Sequence, residues 1–110
     1  MADVEVELTL LPTENGGRRT PAGQGYRPQF YYANADWDAF YEYAIDTEVP
    51  LGQLVLAHLT FLSPEHHRGR VFVGMPFLLR EGNRVVGYGR VTALLGLMSP
   101  TCPATASDPV

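Results

Sequence analysis

Apolar and polar residues alternate without a break through Val4-Glu5-Val6-Glu7-Leu8-Thr9-Leu10. That is the two-residue period of a half-buried strand, with Val4, Val6, Leu8 and Leu10 facing a core. A helix would scatter the same four side chains around its circumference. Pro12 to Gly17 forms a turn cluster, and Pro21, Gly23 and Gly25 continue it as an irregular loop. Phe30-Tyr31-Tyr32 favours a strand, and Pro28 places its start at an edge or a kink. The segment Trp37–Ile45 fits two patterns. Asp36 could cap a helix with Trp37, Phe40 and Tyr41 on one face. As a strand, Tyr41, Tyr43 and Ile45 face one way. The strand is preferred, because an aromatic-rich segment suits a pleated surface better than a helix.

Pro50 and Gly52 interrupt the chain, and Gln53–Leu62 is apolar on both faces, as expected for a strand inside a barrel or beneath a second layer. Ser63-Pro64 ends it, and Glu65-His66-His67-Arg68-Gly69-Arg70 reads as a polar loop. Met75–Leu79 is a short apolar strand. Gly82-Asn83 between it and Val85-Val86 is a tight-hairpin signal. Gly87 and Gly89 inside the last strand predict a close backbone approach or a sharp corner, and that strand runs on to Leu95. About six strands, separated by turn signals and with no secure helix, give an all-β antiparallel barrel or sandwich. The domain is expected to span residues 1–96, with a Pro/Ser/Thr-rich flexible tail over 97–110.

Composition narrows the function. The chain has 110 residues, 45% of them apolar and 18% charged, which supports one folded domain with its own core. Its longest apolar stretch falls short of the roughly 20 residues of a membrane span. No signal-peptide pattern opens it. The single Cys102 cannot form an internal disulfide, so a reducing cytoplasm is the expected setting. Net charge is −4, and all the bases are Arg. The balance lacks the overall basic footprint of a nucleic-acid binder. The distribution is patchy, however. Residues 16–30 and 68–90 are basic, and residues 36–48 are acidic.

Four strings then matter together: Leu11-Pro12-Thr13-Glu14-Asn15-Gly16-Gly17-Arg18-Arg19-Thr20-Pro21; Gly25-Tyr26-Arg27-Pro28-Gln29-Phe30-Tyr31; Phe77-Leu78-Leu79-Arg80-Glu81-Gly82-Asn83-Arg84; and Val85-Val86-Gly87-Tyr88-Gly89-Arg90-Val91-Thr92. Their order and spacing resemble the C-terminal (third) domain of translation elongation factor Tu over about residues 4–95; residues 39–75 match weakly apart from Leu62-Ser63-Pro64. The resemblance implies a six-stranded antiparallel closed β-barrel. In the full factor that barrel packs on the GTPase domain, touches the T-stem of aminoacyl-tRNA and helps contact the exchange factor. No Gly-x-x-x-x-Gly-Lys-Ser/Thr loop is present, and a chain without Lys cannot carry one. A GTPase is therefore excluded, and no nucleotide or other cofactor is expected.

Carried over position by position, the resemblance implies a macromolecule-binding set of Arg18, Arg19, Gln29, Glu81 and Gly82. Arg18 and Arg19 would pair with phosphates. Glu81 would accept bonds from RNA hydroxyl or amino groups, and Gly82 would let a sugar-phosphate come close. Two positions depart from the family: Asp38 stands where it has Thr, and Ser63 where it has a basic residue or His. Together they shift that face by about two units of negative charge, enough to cost about tenfold or more in phosphate-dependent affinity.

Each residue also has a structural reading. Arg18, Arg27, Arg80 and Arg84 can pair with carboxylates and cover apolar surface. Gln29 can satisfy an edge, Glu81-Gly82-Asn83 can serve turn geometry, and Trp37, Tyr41 and Tyr43 can be core. His58, His66 and His67 have no neighbouring ligands that would complete a metal set, and no nucleophile motif supports an enzyme. The expected function is a non-catalytic, translation-linked binding module for a protein partner: the GTPase, its exchange factor or a factor-targeting toxin. The alternative is an RNA-binding barrel contacting tRNA or another structured RNA through Arg18, Arg19, Gln29 and Glu81.

Overall fold

A computed structural model describes residues 2–12 and 22–97. Its strands are β1 (Val4–Leu10), β2 (Gln29–Tyr32), β3 (Ala35–Trp37), β4 (Ala39–Tyr43), β5 (Leu54–Phe61), β6 (Pro76–Glu81) and β7 (Arg84–Leu94). A 3-10 turn covers Pro64–His66. The seven strands form one curled antiparallel sheet in the order β3-β2-β6-β7-β1-β5-β4.

The alternation in β1 gives the inward row Val4, Val6, Leu8 and Leu10, each at most 1% exposed. Phe30 occupies the centre of the core, with its ring 4.4 Å from Phe77 and 5.2 Å from Phe61. The aromatic segment is extended, as its composition argues, but it divides in two. β3 pairs with β2 through Trp37↔Phe30, and β4 pairs with β5 through Ala39↔Phe61. Asp38 alone separates them, and its carbonyl accepts from the Leu62 amide at 3.2 Å. β3 and β4 are also the two outermost strands of the sheet. The curl therefore brings both borders of the sheet to one residue.

Gly87 and Gly89 fulfil the close-approach expectation. A Cβ on Gly87 would sit 2.7 Å from the Thr9 carbonyl oxygen, and one on Gly89 would sit 2.3 Å from that of Glu7 and 2.6 Å from Phe77 Cζ. The β6–β7 hairpin turns at Gly82, whose φ of +61° is in the left-handed region, between the paired Glu81 and Arg84. A second hairpin, β2–β3, turns through Ala33 (φ 51°) and Asn34 (φ 65°).

Three expectations change. β5 is not buried on both faces: Val55, Ala57, Leu59 and Phe61 point in, while Leu54 and Leu56 are 60% and 43% exposed, because among the described residues no second layer covers that face. The loop after Pro64 is not wholly polar, because His67 turns into the core at 1% exposure. Leu97, assigned to the tail, is buried, and its amide bonds the Asp3 carbonyl at 3.0 Å. Residues 98–110, the rest of the expected tail, lie outside the described residues.

Candidate macromolecule-binding site

Arg18 and Arg19 lie outside the described residues. The other three candidates come together at one end of the sheet. Gln29 opens β2 opposite Arg80, and Glu81 and Gly82 follow Arg80 directly at the end of β6. The pairing of β2 with β6 thus places Gln29 and Glu81, far apart in sequence, near one another.

Each polar group there already has a neighbour. Gln29 Nε2 donates to Asp38 Oδ1 at 2.7 Å. Glu81 accepts from the Tyr26 hydroxyl at 2.5 Å and from Arg84 Nη2 at 3.0 Å. Arg80 Nε lies 3.5 Å from Asp36 Oδ1, and the guanidinium also donates to the Gly82 carbonyl at 3.2 and 3.3 Å. Its central carbon lies over Tyr31, 4.4 Å from the ring centroid. Arg27 lies over Phe40 at 4.8 Å. Electrostatically this end is therefore balanced: Asp36, Asp38 and Glu81 stand among Arg27, Arg80 and Arg84. Asp38 is the position where the sequence carries an acid in place of the family's Thr. Its carboxylate holds Gln29 rather than facing solvent alone. Ser63, the other departure, precedes the 3-10 turn without a side-chain capping bond.

Next to these pairs is a cleft of about 370 Å³ lined by Arg27, Gln29, Asp38, Ala39 and Leu62. Leu62 is 56% exposed, so it adds an apolar side chain to a mostly polar lining. Gly82 has open space where a Cβ would project, so the turn rather than a close neighbour requires glycine there.

Aromatic burial turned out to involve a residue the sequence had placed in a loop. His67 stacks on Phe61 at 4.0 Å and meets Trp37 edge-on at 4.7 Å. Its Nδ1 shares a 2.5 Å hydrogen bond with the Tyr32 hydroxyl. Burial, reinforced by the nearby Arg70 and His66 charges, lowers its pKa to about 4. The same burial raises the Tyr32 phenol, with Arg70 opposing. A neutral, enclosed imidazole of this kind is a packing element at physiological pH. No periodicity in Glu65–Arg70 marks His67 as different from His66.

The three histidines do not converge. His58 faces outward on β5, 3.5 Å from Glu5, and His66 is exposed and stacks on Trp37 at 5.7 Å. Among the described residues no group of three or more His, Cys, Asp or Glu is placed to hold a metal. None of their helices is long and apolar enough to cross a membrane. No protein-family model matches the chain.

Proposed function

We propose that the chain is a non-catalytic binding module of the kind formed by the third domain of elongation factor Tu. Its partner is a translation-linked protein: the GTPase itself, its exchange factor or a toxin that targets the factor. In this reading the curled sheet is a six-stranded closed barrel in which β3 and β4 count as one strand kinked at Asp38. The joining of both sheet borders at that residue supports it. The contact surface is the end carrying Gln29, Glu81 and Gly82, with Arg18 and Arg19 belonging to the same set.

The observation that carries a protein partner over RNA is the pairing of charges there. Asp36 faces Arg80, Glu81 bonds Arg84, and Asp38 adds a carboxylate beside Gln29. Phosphate binding draws its free energy from cations that release counterions, and cations already matched by carboxylates contribute little to it. A mixed-sign, partly apolar cleft suits the polar rim of a protein interface instead.

The test sets the two partners side by side. Tagged chain is incubated with lysate, and retained proteins are identified by mass spectrometry; separately, tRNA is titrated with micromolar chain at low salt. The proposal expects recovery of a translation GTPase, exchange factor or toxin, weakened by Glu81→Lys, and no tRNA shift. A tRNA shift that falls linearly with log salt and is lost in Arg18→Ala would replace it with the RNA reading. Recovery of no translation factor would end it.

A further inference from the structure

The outer wall of the sheet carries a second surface, away from the Gln29–Glu81 end. Strand register lines up Leu54, Thr9, Tyr88 and Leu78 as one outward row across β5, β1, β7 and β6. Leu54, Tyr88 and Leu78 are 60%, 50% and 37% exposed. The next row reads Leu56, Glu7, Arg90 and Pro76. Between the tall side chains of Leu54 and Tyr88, the short Thr9 leaves a dimple of about 110 Å³, with Glu7 and Arg90 at its margin. That is room for one large side chain.

Glu7 and Arg90 are direct cross-strand neighbours. Among the described residues, neither forms an ion pair with the other or with any third side chain. An opposite-charge pair in register normally closes on itself. Here both charges stand open at the edge of an apolar dimple.

We propose that this wall is the two-fold interface of a homodimer. The argument is self-complementarity. A dyad parallel to the strands along the β1/β7 seam lays β1 on the partner's β7. Glu7 then meets Arg90 of the mate, twice by symmetry. Tyr88 of each copy falls over Thr9 of the other, into the dimple between Leu54 and Tyr88. One surface thus supplies its own knob, its own hole and both signs of charge. The two walls are convex, so the contact is small beside the roughly 800 Å² per partner of a standard interface. A contact of that size belongs with weak, transient associations.

Sedimentation equilibrium on the full chain at about 150 mM salt tests this. Average mass should rise from one chain toward two between about 1 µM and 1 mM protein. Tyr88→Ala and Arg90→Glu should each raise the dissociation constant about tenfold or more, the latter by setting like charges together twice per dimer. The double variant Glu7→Arg/Arg90→Glu should recover most of that loss, because the pairs re-form with sign reversed. All three positions face outward, and circular dichroism confirms that each variant is folded. A constant single-chain mass throughout overturns the proposal. So does a dimer that the single variants leave intact, or one that the double variant fails to restore.

Discussion

The Tyr32 hydroxyl and His67 Nδ1 lie 2.5 Å apart, inside a cluster closed by Phe61 and Trp37. Burial of that imidazole makes stability depend on pH in a defined window. The folded imidazole has a pKa of about 4, against 6.5 for the ordinary group, so the unfolded chain binds the extra proton first. Stability from this site is complete above pH 6.5, and it falls as pH drops toward 4. The loss amounts to about 3 kcal/mol once both states are protonated. Urea unfolding at pH 7, 5.5 and 4 measures it. His67→Gln should flatten the curve in that window relative to the parent, while other acidic groups affect both proteins alike.

The β2–β3 turn holds Ala33 at φ 51°. An L-residue with a Cβ pays about 1 kcal/mol there, and glycine does not. Ala33→Gly is expected to stabilise the protein by about 0.5–1 kcal/mol, less than the full strain because glycine also loosens the unfolded chain. A higher midpoint in chemical denaturation with unchanged slope is the expected reading.

Gly89 allows the opposite experiment. Gly89→Ala drives a methyl against the Glu7 carbonyl, a backbone atom that cannot rotate away, and against Phe77. A loss of about 3 kcal/mol or more is expected, seen as a lowered melting temperature. Gly82→Ala is its control. There the Cβ meets open space, and only the positive φ is penalised, at about 1 kcal/mol.

Asp3 is 8% exposed, and its carboxylate accepts from the Phe61 amide at 2.8 Å. Asp3→Ala removes that acceptor from a buried N–H and should cost about 2 kcal/mol. Hydrogen exchange should quicken at Phe61 before it does at the middle of β5.

Much of the fold is legible in particular residues. The β1 alternation, the Gly82-Asn83 turn and the paired Gly87 and Gly89 each state a local requirement that no other element contests. The division at Asp38 was not legible. It comes from β3 and β4 finding different neighbours, β2 and β5, which is a property of the curled sheet rather than of residues 37–39. The Ala33-Asn34 turn was hidden for a related reason: alanine carries no turn signal, and tertiary pairing of β2 with β3 imposes the left-handed backbone on it. His67 reads as loop in the sequence because burial of a neutral imidazole depends on a hydroxyl that Tyr32 contributes from β2. At the candidate site, Gln29, Glu81 and Gly82 do share one end. What spacing could not reveal is that Asp38, Tyr26 and Arg84 would already occupy their polar atoms.

Because its first and last ribbons are successive stretches of chain, the sheet has a seam one residue wide. A proteolytic nick or a circular permutation at Asp38 would untether the two outermost strands, each of which pairs on one side only and carries on its other side the amides and carbonyls that can recruit further strands. Continuity of the backbone at that single position is what ties the two borders of the sheet together.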